Sequence, residues 1–141
     1  MLPEVRVLRI LKNSHELTTA LNELRGTNTA TPLIFTSEIP EKYTLYKTAP
    51  MMRINFINDN WISADDDDFL NKPKLAVNFW TKSLADSEKL TPIVRKVLRA
   101  GGFIQYDSVR ERDPDSGSTQ DKQLYMNVIF VQSKGEPVTD N

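Results

Sequence analysis

Two hydrophobic periods divide the chain. Between residues 5 and 25, Val7, Ile10, Leu11, Ser14, Leu17, Leu21 and Leu24 recur on one side at about 100° per residue, while Arg6, Arg9, Lys12, Glu16 and Glu23 fall elsewhere. This spacing predicts a helix stopped by Gly26, since a glycine accepts the left-handed conformation that follows a helix end. A rival reading breaks the helix at Asn13, whose side chain would cap a second helix while Glu16 reaches back from its third position. From Gly26 to Trp80 the period falls to two. Leu33–Thr36 is a short β-branched and aromatic run between Pro32 and Pro40, and reads as a strand. Met52, Ile54 and Phe56 alternate with Arg53, Asn55 and Ile57 in a second strand that ends at the turn-prone Asn58-Asp59-Asn60. Leu75, Val77 and Phe79 alternate with Lys74, Ala76, Asn78 and Trp80 in a third. The segment from Trp61 to Pro73 is too charged to pair in the middle of a sheet.

The helical period returns at Leu90, Ile93, Val94, Val97 and Leu98, with Lys89, Arg95, Lys96 and Arg99 covering the other side. Because proline inside a helix costs about 3 kcal/mol, Pro92 places the start no earlier than about Asp86. Thr91 as N-cap with Pro92 at the first helical position would shorten the helix further. Gly101-Gly102 ends it. Phe103–Val109 and Gln123–Val131 are predicted as two more strands, joined by a long polar loop, Arg110–Lys122, that contains Asp113-Pro114-Asp115. The order predicts an α+β fold, a mainly antiparallel sheet of about five strands with two helices packed on one face. It forms one domain over residues 1–132, and the polar residues 133–141 are expected to be disordered.

Composition adds mainly exclusions. The chain has 141 residues and no cysteine, so disulfides, thiolate metal sites and a cysteine nucleophile are ruled out. A single histidine, His15, cannot build a two-histidine zinc site within one chain. With 18 basic and 19 acidic residues the net charge is −1, without the bias that marks a nucleic-acid binder. Charged residues interrupt the first apolar stretch, and the apolar run near Leu124–Val131 is far shorter than the roughly 20 residues of a membrane helix. A soluble protein made in a cytoplasm, with no membrane partner, is the expectation.

The remaining chemistry is sparse. Asp65, Asp66, Asp67 and Asp68 form the densest charge, but the glycine and distal glutamate of a calcium-binding loop are missing at the required offsets. A solvated acidic loop, or an acidic patch offered to a basic partner, fits better than a metal site. Asp113 and Asp115 resemble a carboxylate pair, yet their spacing across Pro114 is that of an ordinary turn. Ser14 and His15 are neighbours on a helix and point about 100° apart, so they cannot make a nucleophile–base contact. There is no phosphate-binding glycine motif. No cofactor and no enzymatic activity are expected. Trp61 and Trp80 lie near acidic rather than basic residues, which favours core or subunit contact over base stacking. Trp80, on the face of its strand opposite Leu75, Val77 and Phe79, is expected to be an exposed anchor.

The block VNFWTKSLADSEKLTPIVRKVLRAGGFIQYDSVRERDPDSG followed by QLYMNVIFV resembles the siphovirus tail terminator or tail-to-head joining proteins. The resemblance rests on an ordered set: a strand ending in Phe79-Trp80, a helix with Leu90, Ile93 and Leu98, Gly102-Phe103, Asp113-Pro114-Asp115 and a last strand. It covers roughly residues 1–132 when Thr31–Phe35 and the first helix are included. It implies a structural virion subunit that forms a ring, commonly a hexamer, at the head-proximal end of a non-contractile tail. Such a ring stops growth of the tube of major tail protein and docks the head connector or neck protein, while DNA passes its lumen without specific binding. The candidate interface or lumen residues are Asp65–Asp68, Trp61, Trp80, Arg110, Arg112, Asp113 and Asp115. The other reading is a small bacterial α+β ligand-binding or regulatory module.

Overall fold

The computed structural model describes residues 1–26, 32–59, 61–63, 69–113 and 123–137. The N-terminal helical period is divided between α1 (Pro3–Lys12) and α2 (His15–Arg25). The break falls one residue beyond the rival reading. Asn13 closes α1, and the Ser14 side chain caps α2 by accepting from the Leu17 backbone N–H at 3.2 Å. Glu16 therefore sits at the second helical position, and its carboxylate meets Lys96 Nζ at 3.0 Å instead of reaching back to a cap. Gly26 ends α2 with φ +81°, as expected.

Next in the chain come β1 (Ile34–Thr36), two single 3₁₀ turns at Glu41–Tyr43 and Tyr46–Thr48, and β2 (Met51–Asn58). β3 (Trp61–Ser63) and β4 (Phe69–Asn71) pair antiparallel, and Glu136–Pro137 adds a short β8 to them, forming a small sheet apart from the main one. This corrects the expectation that Trp61–Pro73 is too charged to pair in the middle of a sheet: its uncharged pieces Trp61–Ser63 and Phe69–Asn71 pair, and β4 is the middle strand of the small sheet, while Asp65–Asp68 lie outside the described residues. β5 (Lys74–Thr81) follows, then α3 (Leu84–Ala100), β6 (Phe103–Asp113) and β7 (Leu124–Ser133).

α3 starts earlier than Pro92 suggests. Ser83 caps it by accepting from the Asp86 N–H at 3.1 Å, and buried Ser87 Oγ shares a 2.6 Å hydrogen bond with Thr81 Oγ1. Pro92 lies inside the helix on its exposed side, as does Glu88, whose carbonyl loses its usual helical donor to the proline. Burial of Leu90 and Ser87 on the opposite side holds the first turns in place.

The main sheet has the order β1-β2-β5-β7-β6. β1 runs parallel to β2, and the other three pairings are antiparallel, so the fold is α+β as expected, with a mixed sheet and, among the described residues, three helices instead of two. All three helices lie on one face. Val7, Leu11, Leu17, Leu21, Leu90, Val94 and Leu98 pack there against Ile34, Met52, Ile54, Leu75, Val77, Phe79, Phe103, Ile129 and Val131. Gly101 lets α1 approach α3: a Cβ at that position would stand 2.6 Å from Ile10 Cδ1. The opposite sheet face carries a second, smaller cluster of Leu33, Ala49, Met51, Trp80 and Leu124, packed against Phe35 from β1 and Ile39, Tyr43 and Tyr46 from the residues around the 3₁₀ turns. Phe35 and Tyr43 stack there at 5.7 Å.

Candidate interaction surfaces

Trp80 belongs to this second cluster. It is 8% exposed, which overturns the expectation of an exposed anchor. The period-two pattern placed it correctly on the face away from the helices; the segment preceding β2 folds back and covers that face. Its indole Nε1–H donates to Asp113 Oδ2 at 2.8 Å, and the Arg53 guanidinium lies 5.1 Å above the ring. Arg53 opposes Asn78 across the β2–β5 pairing, and buried Arg53 Nε and Asn78 Oδ1 have no hydrogen-bond partner among the described residues. Arg53, Trp80 and Asp113 border a recess of about 240 Å³ that Glu38, Ile39, Thr44, Met51 and Leu124 complete. Its polar groups are one guanidinium, two carboxylates and a hydroxyl. That set contains no nucleophile beside a base, and the volume is below the roughly 300 Å³ at which small-molecule sites begin.

Arg110, Arg112 and Asp113 are not in a loop. β6 continues through Asp113, paired residue for residue with β7 as far as Asp113↔Leu124, so the connection begins only after it. A charged stretch holds as a strand here because β6 is an edge strand whose side chains reach water from both faces. Its alternation separates the charges. Ser108, Arg110 and Arg112 stand on the helix side of the sheet, in register with Ile129, Asn127 and Tyr125. Asp107, Val109, Glu111 and Asp113 stand on the other side, in register with Phe130, Val128, Met126 and Leu124. The edge therefore has a cationic flank and an anionic one.

Each flank is anchored. Arg110 Nε donates to Asn127 Oδ1 at 2.6 Å, and Asn127, 2% exposed, in turn donates from Nδ2 to the Phe79 carbonyl at 3.1 Å. The Arg112 guanidinium lies 5.8 Å from the Tyr125 ring centre. A bulge between Gln105 and Asp107 throws Tyr106 outward, where it is 48% exposed beside Phe130 and Lys74. Desolvation, and then the neighbouring Asp107 charge, hold the Tyr106 hydroxyl above its ordinary pKa. Val109 adds 44% exposed apolar surface to the same strand.

The other sequence candidates fall elsewhere. Trp61 opens β3 in the small sheet, while Asp65, Asp66, Asp67, Asp68 and Asp115 lie outside the described residues. Ser14 and His15 do helix-capping work and opening-turn work at the start of α2. Among the described residues no group of three or more His, Asp or Glu side chains converges as a metal site. Sequence reasoning passed over Arg53, Arg95 and Asn127. The signal for Asn127 was present: a polar residue inside an apolar strand must find partners when buried.

No protein-family model matches the chain, and no curated protein matches it. A solved structure does. A chain of the structure described as the virion of a native gene transfer agent particle superposes with a TM-score of 0.58, covering 95% of this chain and 95% of that one. The likeness is one of fold. Sequence identity across it is 10%, so what is shared is the arrangement of sheet and helices.

Proposed function

We propose that this chain is a structural subunit of a phage-like virion, and within it a tail terminator or tail-to-head joining protein. The observation that carries the reading is the end-to-end match of fold to a chain of a gene transfer agent virion, coinciding with the ordered tail-terminator-like motifs of the sequence. The long, charged edge strand β6 supports it. A closed ring is built from heterologous contacts between two different faces of each subunit, and an unpaired strand edge is one such face. In this reading the protein assembles with itself into a ring of about six copies, at the head-proximal end of a non-contractile tail. One rim meets the tube of major tail protein and the other the head connector or neck protein. The acidic run Asp65–Asp68 lines the lumen, where it keeps passing DNA from adhering. Among the described residues no helix is long and apolar enough to cross a membrane.

Multi-angle light scattering and electron microscopy of the purified protein, alone and mixed with polymerising tail-tube protein, test the proposal. Rings, and tubes capped at one end that stop lengthening, are the expected result. Tubes that continue to grow uncapped at saturating protein overturn the terminator assignment.

A further inference from the structure

A second recess of about 220 Å³ lies on the cationic flank of β6, between that strand and α3. Its floor is Phe79, Asn127 and Ile129, and its walls bring Arg95 and Thr91 from α3 against Ser108 and Arg110 from β6. Both arginines are oriented through Nε by uncharged amide oxygens. Arg95 donates to Gln105 Oε1 and Arg110 to Asn127 Oδ1, each at 2.6 Å. Neither meets a carboxylate within ion-pair distance among the described residues, where the ion pairs are Lys89–Glu23 and Lys96–Glu16. Among the described residues the two guanidinium groups are thus held in place without being neutralised, and their terminal N–H groups remain for a planar oxyanion, which such forks bind bidentately.

The strand edge says how that oxyanion arrives. A strand added to the outer edge of β6 sets the residue opposite Arg110 on the same sheet face as Arg110, with Cβ atoms about 4.5–5.5 Å apart. That is the face on which the recess opens. We infer that the Arg95–Arg110 recess is a carboxylate site, and that it reads an aspartate or glutamate on an extended segment of a protein partner docking along β6. Phosphates of nucleic acid are the poorer fit. The recess admits one small group rather than a run of backbone, and Asp107 and Glu111 on the other flank of the same strand repel a polyanion.

The test uses the full-length, ¹⁵N-labelled protein and follows the Nε–Hε signals of Arg95 and Arg110. The probes are a blocked Thr-Val-Asp-Val-Thr peptide, the same peptide with Asn replacing Asp, inorganic phosphate, and a short DNA duplex. The Asp peptide should shift both signals saturably, and the Asn peptide should bind at least about tenfold more weakly, the loss expected for a charge-assisted hydrogen bond. Arg95→Gln and Arg110→Gln, both at exposed positions and checked for unchanged melting, should each weaken the Asp peptide to a similar degree. Arg110→Lys should do so as well, because a point charge lacks the fork. Equal binding of the Asp and Asn peptides, or undiminished binding to both Gln variants, overturns the inference. So does saturation of both signals by phosphate or DNA where the Asp peptide leaves them unmoved.

Discussion

Arg25→Met tests how the two faces of the sheet are tied together. Arg25 is the last residue of α2 and 7% exposed. Its Nε donates to the Thr48 carbonyl at 3.0 Å, Nη2 to the Pro50 carbonyl, and Nη1 to Asn22 Oδ1 at 3.1 Å. The helix layer is thereby fastened to the segment that turns into β2 and roofs the second cluster. Burial lowers the guanidinium pKa from its ordinary value, as desolvation of a cation must. Methionine keeps the unbranched stem and removes every donor. Each charge-assisted bond to a carbonyl is worth about 1.5–3 kcal/mol, and part of the combined loss is offset because the variant no longer desolvates a charge. A net cost of about 3 kcal/mol follows. A chain of this length unfolds with an entropy of roughly 0.3 kcal/mol/K, so the melting temperature should fall by about 10 °C. Thermal and urea unfolding followed by circular dichroism measure both quantities. A variant within about 0.5 kcal/mol of the parent, the scatter of ordinary surface changes, would refute the view of Arg25 as a buried tie.

Three further outcomes are expected. Asp113→Asn exchanges the carboxylate that accepts from the Trp80 indole for a neutral oxygen, and should destabilise the fold by about 1 kcal/mol with a shift in tryptophan fluorescence; unchanged emission and stability would separate the pair. Gly101→Ala drives a methyl group into Ile10 Cδ1 and should cost about 1–3 kcal/mol as overpacking, and adding Ile10→Val should recover part of it, so strict additivity in the double-mutant cycle counts against the contact. Tyr106 should ionise above the usual value of about 10 in a titration at 295 nm compared with Tyr106→Phe, and Asp107→Asn should bring it partway down. The folded state holds that proton more tightly than the unfolded chain, so the stability it contributes is present below about pH 10 and lost as pH rises through the raised value; a Tyr106 titration identical to that of free tyrosine contradicts the assignment.

The local pattern determined what period and volume can determine. The alternation of Leu75, Val77 and Phe79 and the helical spacing of Leu90, Val94 and Leu98 select the residues that meet between sheet and helices, because a one-residue slip would send each of them to water. The same pattern put Trp80 on the other face, whereas the charge of Trp61–Pro73 misled, because its uncharged ends Trp61–Ser63 and Phe69–Asn71 pair in a small sheet of their own. What lies over a face is not a local property. Whether Trp80 is exposed depended on a segment more than thirty positions away folding back over it, and the Arg25 bonds to Thr48 and Pro50 that hold this segment join parts of the chain with no shared period. Pro92 shows the same limit, since its intrinsic cost of about 3 kcal/mol was outweighed by the Ser83 cap and by burial of Ser87 and Leu90 that only the packed helix supplies.

The β6 edge divides in the same way. The letters Arg110 to Asp113 already alternate in charge, but they became two opposed flanks only through antiparallel pairing with β7, which no local propensity favoured in so polar a stretch. The sequence by itself determined the α+β class, the core faces and the absence of thiol chemistry, because these follow from residue type and spacing. The tertiary structure alone decided which polar groups meet, Arg53 with Trp80, Asn127 with Arg110, Arg95 with Gln105, because such contacts are set by strand register and helix placement.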